Sequence, residues 1–252
     1  MSERVSVVVP VYNEAPVIES VLDEIASEIL DRLPGSELVV VDDHSSDETP
    51  RLLDSRARAD GRVRVCRCEQ NRGHGPAVAT AVTLSTGAWV FHLDSDGQVE
   101  ARDFWTLWER RADADLLLGV RADRRDPRHR LLLTSVVNGV VSALAGRRVR
   151  DANVPLKLFR REVWDDVAPF MPSPPLAPSI LLATGASVRS WRLIELPVTH
   201  RARTRGRSSL RALRLLMFSL HGLHQLFAFR LALARAPRRA AATVEARTRT
   251  RR

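Results

Sequence analysis

The chain contains very little of several residue types that mark common protein classes. Its 252 residues include two cysteines and one tyrosine, and aromatic residues make up 5% of it. Two cysteines cannot form the disulfide framework of a small secreted domain. The scarcity of aromatic side chains argues against a protein that binds single-stranded nucleic acid by base stacking. The chain also lacks the run of about 20 apolar residues that a membrane-spanning helix needs.

Charge is distributed unevenly along the chain. Residues 1–200 carry 25 basic and 29 acidic side chains, whereas residues 201–252 carry 14 arginines and one acidic residue, Glu245. The overall charge of +9 therefore comes from the C-terminal part. A basic segment can contact nucleic acid, anionic lipid or a phosphorylated substrate, and charge alone does not choose among them. We expect no nucleic-acid partner, because the arginine-rich end is the only feature that favours one.

The N-terminal residues and the cysteines point to a reducing compartment. Residues 1–4 lead directly into an apolar strand pattern without the h-region of a secretory signal. Cys66 and Cys68 are two positions apart, which places both on one face of a strand and suits neither a local disulfide nor a four-ligand zinc site. We therefore expect a cytoplasmic protein.

Apolar strand patterns alternate with helical patterns along most of the chain, and the 44% hydrophobic content is enough for a full core. Short β-branched and apolar runs predict strands over residues 4–12, 37–41, 63–68, 89–93, 115–120 and 189–198. Helical patterns cover residues 15–33, 49–59, 101–111 and 131–144, with a further helix ending near Ser85; Asn13 is expected as the first N-cap and Pro16 in the first turn. This alternation predicts an α/β fold with a mostly parallel sheet and helices on both faces.

Two of the predicted strands end in paired carboxylates. Asp42 and Asp43 follow one strand, and Asp94, Asp96 and Gln98 follow another. Open α/β sheets bind ligands at the carboxyl ends of their strands, and carboxylate and amide oxygens are ligands for Mg²⁺ or Mn²⁺. The alternative for Asp94 and Asp96 is an Asx turn with solvated carboxylates.

Two further segments suggest anion binding. Residues 71–77 form a glycine-rich loop before a helix, and such a loop can bring backbone N–H groups, here at Gly73, close to a phosphate. This loop lacks the Walker and G-x-G-x-x-G patterns, so its signal is weak. Residues 121–130 contain five arginines and a histidine after a strand end, where a solvated loop is the alternative.

Four motifs in this order resemble family 2 glycosyltransferases: residues 9–14, 41–47, 71–77 and 94–98. Residues 158–163 and 203–208 are similar to the polyprenyl-phosphate branch of that family, which includes the dolichyl-phosphate mannosyltransferases. The resemblance covers about residues 4–210. It implies a GT-A fold, Rossmann-like, in which a divalent cation bridges the diphosphate of a nucleotide sugar.

The resemblance also implies roles for individual residues. The nucleoside pocket would be lined by Pro10, Tyr12, Glu14, Asp42 and Asp43. The metal would be held by Asp94, Asp96 and Gln98. Asp94 would also bind the donor substrate, and Asp96 would be essential for catalysis. The acceptor phosphate and donor diphosphate would be received by Arg121, Arg125, Ser135 and Arg203. This chain departs from the family pattern at two places: it has His74 where relatives often carry lysine, and residues 153–157 replace a usual glycine. The resemblance therefore does not determine the sugar or the acceptor.

The expected function is inverting transfer of a sugar, with mannose favoured, from GDP-mannose or a UDP-sugar to a polyprenyl or dolichyl phosphate. Such an acceptor is already ionised near neutral pH and needs no general base, so arginines that offset phosphate repulsion matter more. The alternatives are a family 2 enzyme with a soluble or glycan acceptor, a metal-dependent nucleotidyltransferase, and a non-enzymatic basic protein that binds nucleic acid.

The sequence predicts three regions. Residues 1–209 would form the GT-A domain, residues 210–236 an amphipathic helix at the membrane interface, and residues 237–252 a disordered basic tail. On the helix the expected polar side holds Arg211, Arg214, His221 and Gln225, and the apolar side holds Leu213, Leu216, Leu220 and Phe227. The protein would then be peripheral at the cytoplasmic face of the membrane. Packing of this helix on the domain or on a membrane-protein partner is the alternative.

Overall fold

A computed structural model describes residues 4–121, 128–151, 153–154, 156–198 and 212–237; for residues 121, 128–134, 212–216 and 218 it describes the backbone alone. In this part of the chain, seven strands form one sheet: β1 (Val5–Val11), β2 (Glu37–Asp42), β3 (Val63–Arg67), β4 (Trp89–Leu93), β5 (Leu116–Arg121), β6 (Leu156–Arg160) and β7 (Leu193–Val198).

Within the described residues, eight helices accompany the sheet: α1 (Ile18–Ile25, continued by a π-turn at Ala26–Leu30), α2 (Thr49–Ala59), α3 (His74–Leu84), α4 (Asp103–Trp108), α5 (Arg128–Ala145), α6 (Arg161–Val167, continued by a 3-10 turn at Ala168–Phe170), α7 (Pro178–Val188) and α8 (Ala212–Arg235).

The sheet has the order β3-β2-β1-β4-β6-β5-β7. The pairs β1–β2, β1–β4, β2–β3 and β5–β7 are parallel, and β6 runs antiparallel to both of its neighbours. The prediction of a mostly parallel sheet is therefore confirmed. The sequence pattern did not predict β6, because the buried Lys157 interrupts its short apolar run.

Helices cover both faces of the sheet, as expected, and each face has its own apolar core. One core joins alternate strand residues to α1 and α4, with Phe104 packed between Phe91 and Trp108. The other core joins the opposite strand faces to α3 and to α5, α6, α7 and α8. Both faces of β1 and β4 are buried, which explains their nearly continuous apolar sequences.

Some element boundaries differ from the sequence prediction. Helix α1 begins at Ile18 with Val17 at its N-cap, so the prediction of Asn13 as N-cap was wrong. Asn13 has a φ of 53°, and its side-chain oxygen accepts the Ser46 N–H at 2.8 Å. Its side chain therefore connects two loops. Helix α4 is shorter than predicted, and β7 begins only at Leu193 because a turn with positive φ at Ser190 follows α7.

Helix α8 is present at the predicted position, but its faces are oriented differently from the expectation. Leu226, Phe229 and Leu233 are buried in the second core, and Gln225 is buried with them although it was assigned to the polar side. Its amide accepts the Leu176 N–H at 2.8 Å and donates to the Pro174 carbonyl at 3.0 Å, which makes burial of this polar group favourable.

The opposite face of α8 is exposed and carries apolar side chains together with two histidines, His221 and His224. It carries large hydrophobic side chains at heptad-like spacing, Met217, Leu220, Phe227 and Leu231. Across the described part of the chain, no helix combines the length and apolar character required to traverse a bilayer.

Candidate active site

The sheet order reverses its direction between β1 and β4. The chain runs outward from β1 to β2 and β3 and then returns to add β4 on the other side of β1. In open α/β sheets such a switch point binds ligands outside the carboxyl ends of the strands. Tyr12 follows β1 there, and Asp94 follows β4. The strand-end residues singled out in the sequence therefore meet at one edge.

The loops after β1 and β2 are joined by hydrogen bonds. The Asn13 N–H donates to Ser45 Oγ at 2.9 Å, and the Glu14 N–H donates to Thr49 Oγ1 at 2.9 Å. The Ala15 N–H donates to Asp47 at 3.2 Å. Together with the Asn13–Ser46 bond, these contacts give a continuous wall beside β1.

Two of the predicted nucleoside-pocket residues differ in their surroundings. Pro10 is buried within β1, whereas the Tyr12 side chain is 48% exposed at the edge of the sheet. An exposed aromatic ring on a rigid wall is suited to stacking against a planar base. Glu14 lies two residues further on and is half-buried.

Asp42 and Asp43 are both buried, and their carboxylates organise the neighbouring loops. Asp43 accepts the Arg72 N–H at 2.8 Å and the Gly73 N–H at 2.7 Å. Asp42 accepts the Ser45 N–H at 2.9 Å, and its other oxygen is 3.4 Å from Arg67 Nε. The Gly73 N–H, expected to approach a phosphate, is therefore bonded to Asp43. Gly73 provides the turn instead, with a φ of 92° that other residues rarely adopt.

Asp94 faces two histidines at the carboxyl end of β4. Its Oδ1 lies 3.3 Å from His92 Nε2 and 3.6 Å from His74 Nε2. His92 is buried within β4, with its side chain 3% exposed, while His74 begins α3 and is 58% exposed. Among the described residues, neither Asp94 Oδ1 nor His92 Nε2 has a hydrogen-bond partner, although both atoms are buried. Two orphaned polar atoms that face each other fit a bound cation.

Burial sets the protonation of this group. It lowers the pKa of His92 to about 4, despite the nearby Asp94 carboxylate, which acts in the opposite direction. Burial also disfavours the charged form of Asp94, but His74 and His92 outweigh it and hold the pKa of the Asp94 carboxyl well below its usual range. At neutral pH the site presents an uncharged imidazole beside a carboxylate.

Lys157 lies on the same face of the sheet. It pairs directly across the strands with His92, and its ammonium donates to the Val154 carbonyl. This residue is the only lysine in the chain and is almost completely buried. Its charge contributes to the low pKa values of both His92 and Asp94.

Asp96 and Gln98 lie in the turn that follows Asp94. The Asp96 carboxylate accepts the Gln98 N–H at 3.1 Å, and Gly97 between them has a φ of 68°. This is the Asx-type turn that the sequence left as an alternative. The described residues contain one group of at least three histidine, cysteine or acidic side chains whose ligand atoms lie within 4.8 Å of one another, namely His74, His92 and Asp94.

The structure describes little of the predicted phosphate-binding residues. Arg121 is the last residue of β5, whose carboxyl end shares the edge with those of β1 and β4. Ser135 is exposed on α5. Arg125 and Arg203, like the side chain of Arg121, fall outside the described residues.

Sequence reasoning missed the histidine pair and Lys157. His74 was noted only as a departure from the family pattern, and Lys157 was not singled out. One signal was available: His92 is the only polar residue in an otherwise apolar strand, Trp89–Leu93.

Residues 6–163 match the family model described as glycosyl transferase family 2, and the chain belongs to that family. It is 31% identical over 222 residues to an undecaprenyl-phosphate 4-deoxy-4-formamido-L-arabinose transferase from Pseudomonas aeruginosa, covering 86% of this chain and 64% of the relative. It is also 32% identical over 172 residues to glycosyltransferase AglD from Haloferax volcanii, covering 64% of this chain and 27% of that protein. The chain thus spans less than two thirds of the length of these relatives.

Solved structures share the fold. Glucosyl-3-phosphoglycerate synthase from Mycobacterium tuberculosis, in complex with Mn²⁺, uridine diphosphate and phosphoglyceric acid, aligns with a TM-score of 0.67 at 22% identity, covering 90% of this chain and 78% of that one. Staphylococcus aureus TarS aligns with a TM-score of 0.56 at 19% identity, covering 90% and 72%. The expected GT-A, Rossmann-like fold is confirmed.

Proposed function

We propose that this chain transfers a sugar from a nucleotide sugar to a polyprenyl phosphate with inversion at the anomeric carbon. The observation that carries the proposal is that Tyr12 and Asp94 follow the adjacent parallel strands β1 and β4 at the switch point of the sheet, in a chain of family 2. The name of the Pseudomonas relative, an undecaprenyl-phosphate transferase, supports a lipid phosphate as acceptor. We propose mannose from GDP-mannose as the donor sugar, with a UDP-sugar as the alternative.

The reaction needs nucleophilic attack and a stabilised leaving group. A phosphate oxygen of the acceptor forms the new bond to the anomeric carbon while the bond to the nucleoside diphosphate breaks, and the electron pair leaves with the diphosphate. A phosphate monoester is already ionised near neutral pH, so no residue has to remove a proton. A divalent cation, Mg²⁺ or Mn²⁺, would neutralise the charge that develops on the leaving diphosphate.

We assign the roles within this reaction as follows. Tyr12, Glu14, Asp42 and Asp43, with Pro10 behind them, form the nucleoside side of the crevice. Asp94, Asp96 and Gln98 hold the cation, with Asp96 essential for turnover. Arg121, Arg125, Ser135 and Arg203 receive the two phosphate groups, because guanidinium groups bind phosphate in bidentate fashion.

We further propose that the exposed apolar face of α8 brings this domain to an anionic membrane surface at the cytoplasmic side. Four large hydrophobic side chains point away from the core, Met217, Leu220, Phe227 and Leu231. The segment from residue 201 onward carries 14 arginines and a single acidic residue. Each arginine near an anionic surface contributes up to about 1 kcal/mol, and the apolar side chains add burial. A membrane-protein partner is the other occupant that this face could accept.

The test is a panel of nucleotide sugars offered with a polyprenyl phosphate, with and without Mn²⁺. The expected product is a lipid-linked sugar phosphate, detected by mass spectrometry together with one equivalent of nucleoside diphosphate. A soluble glycan and phosphoglyceric acid serve as competing acceptors. Transfer to either of these in preference to the lipid would contradict the proposal, as would release of nucleoside diphosphate without any glycosylated lipid.

A further inference from the structure

We propose that His74, His92 and Asp94 form a binding site for one transition-metal ion of the Mn²⁺, Co²⁺ and Zn²⁺ type, which the protein binds in preference to Mg²⁺. The proposal deepens the proposed function, since Asp94 belongs to the predicted donor site. The proposed site differs from the Asp94-x-Asp96 motif in its ligands. Besides Asp94 it contains two imidazoles, one at the start of α3 and one within β4.

The spacing of the three ligand atoms fits coordination of a single ion. Bonds of about 2.0–2.2 Å from a metal to imidazole nitrogen and carboxylate oxygen place neighbouring ligands of a tetrahedral site about 3.3–3.6 Å apart. The observed separations from Asp94 Oδ1 are 3.3 Å to His92 Nε2 and 3.6 Å to His74 Nε2. All three atoms lie within 4.8 Å of one another.

The polar atoms of the site also point to a ligand. His92 Nε2 and Asp94 Oδ1 are buried, face each other, and have no hydrogen-bond partner among the described residues. A purely structural histidine–aspartate pair would be expected to form a hydrogen bond, because a buried orphan atom is destabilising. An ion between these atoms and His74 satisfies both. The exposure of His74 leaves an approach to the site for the ion and for an additional ligand such as a phosphate oxygen.

The ligand types determine which ion binds. Mg²⁺ prefers six oxygen ligands and is bound poorly by imidazole, whereas Mn²⁺, Co²⁺ and Zn²⁺ accept nitrogen and oxygen ligands together. Two nitrogens out of three protein ligands therefore favour the transition metals. The buried Lys157 charge on the same face opposes a dication, so the Asp94 carboxylate is needed to offset it. Loss of Asp94 should then weaken binding more than loss of His74.

Co²⁺ provides the test, because its visible d–d absorption reports both ligand type and geometry without any turnover. The full-length protein is titrated with Co²⁺ in the absence of nucleotide, and then with Zn²⁺ or Mg²⁺ as competitor. We expect an intense tetrahedral-type spectrum that Zn²⁺ abolishes and excess Mg²⁺ leaves unchanged. His74→Ala is the main variant, since its exposed side chain is not required for the core. It should weaken Co²⁺ binding by more than about 10-fold. Removal of a residue that only orients a metal ligand already lowers metal affinity by about this factor, and His74 is a proposed ligand itself.

Two controls separate the possible outcomes. His221 and His224 are exposed histidines one helical turn apart on α8, so the double variant His221→Ala/His224→Ala tests for adventitious surface binding and should leave the spectrum intact. Asp96→Asn, which removes one carboxylate of the proposed donor site, should weaken Co²⁺ binding less than His74→Ala does. If Asp96→Asn abolishes Co²⁺ binding while His74→Ala binds normally, the ion is held by the acidic motif alone and the inference is overturned.

Failure of this inference is distinguishable from failure of the proposed function. Normal Co²⁺ binding by His74→Ala, with transfer to polyprenyl phosphate intact, would remove the histidine site and leave the function. Conversely, Co²⁺ binding that depends on His74 and Asp94, in a protein without transfer activity, would retain the metal site and remove the function.

Discussion

At the residue scale, Glu37 connects three strand beginnings at the edge of the sheet opposite the active site. Its Oε1 accepts hydrogen bonds from Ser6 Oγ at 2.7 Å and from the Thr86 N–H at 2.6 Å, and its Oε2 lies 2.9 Å from Arg64. These bonds outweigh burial, which acts in the opposite direction, and lower the pKa of Glu37 below its ordinary value. Ser6 Oγ in turn accepts the Gly87 N–H at 2.7 Å, so the network reaches β4.

Replacement Glu37→Gln should therefore change both stability and its dependence on pH. The carboxylate stabilises the fold above the ordinary pKa of 4.5, and this contribution is lost as pH falls through the lower folded-state pKa. We expect the free energy of unfolding at pH 7 to fall by about 1–2 kcal/mol, since a charge-assisted hydrogen bond is weakened. Below pH 4.5 the variant should also lose less stability than the wild type.

Urea denaturation at a series of pH values measures both effects. The matched control is Glu69→Gln, which changes an exposed carboxylate in the segment between β3 and α3. Parallel pH profiles for the wild type and Glu37→Gln would show that the network around Glu37 contributes nothing through its charge.

At the element scale, α8 has two apolar faces with different roles. Phe229 is 1% exposed and contacts the second core, and Gly185 of α7 has no space for a Cβ because Val167 and Phe229 lie too close. Phe227, two residues earlier, is 54% exposed. The Arg230 guanidinium also donates to the Leu144 carbonyl of α5 at 3.1 Å. One face of α8 thus packs on the rest of the domain, and the other face is exposed to solvent.

The two phenylalanines of α8 allow a matched comparison. Phe227→Gln should leave the free energy of unfolding nearly unchanged and weaken sedimentation with anionic liposomes. Phe229→Ala should lower the free energy of unfolding by about 3–5 kcal/mol, because it creates a cavity in the core. Liposome binding by the wild type should decrease as salt screens the arginines. A Phe227→Gln protein that sediments like the wild type would exclude the membrane contact at this face.

The structure also changes what a truncation before α8 is expected to do. The domain boundary predicted after residue 209 implies that a chain ending at Ser209 would still fold. Because Leu226, Phe229 and Leu233 belong to the core and Gln225 binds the loop at residues 174–176, we now expect that truncation to destabilise the whole fold. Substitutions on the exposed face are the appropriate test.

The elements that could be predicted from the sequence are those with an unambiguous apolar pattern. Strands such as Val5–Val11 and Trp89–Leu93 have both faces buried and therefore read as continuous apolar runs. Strand Leu156–Arg160 was missed because its second residue, Lys157, is buried, which a local pattern does not suggest. The faces of α8 were also misassigned from the local pattern. Gln225 is buried because its amide bonds to the Leu176 N–H and the Pro174 carbonyl, which lie far away in the chain.

Only those residues of the candidate site that directly follow apolar strands could be predicted from the sequence. Asp42 and Asp94 follow apolar strands, and the parallel sheet brings their loops to one edge. The group of His74, His92 and Asp94 could not be predicted, because it depends on where α3 begins relative to β4 in three dimensions. The binding of the Arg72 and Gly73 N–H groups to Asp43 likewise follows from tertiary packing.

In the molecule as a whole, one sheet edge carries the strand ends to which the proposed function assigns its binding residues. All strands except β6 point their carboxyl ends toward it. The hydrogen-bonded loops follow β1 and β2, the carboxylates Asp94 and Asp96 follow β4, and in sequence the arginine-containing segments follow β5 and β7. Helix α8, attached to the same body by its buried face, completes a domain with an exposed apolar surface.

We propose that the carboxylates after β4 make this edge a metal-dependent centre of sugar transfer, and the turnover of Asp96→Ala is the decisive measurement. The donor and acceptor identified by the panel are used as substrates. The turnover of Asp96→Ala should be at least about 100-fold lower than that of the wild type, because loss of a group that stabilises transition-state charge has an effect of this size. The circular dichroism spectrum and the free energy of unfolding should remain unchanged. EDTA should abolish wild-type turnover, and Mn²⁺ should restore it. Near wild-type turnover by Asp96→Ala in the presence of EDTA would contradict the account.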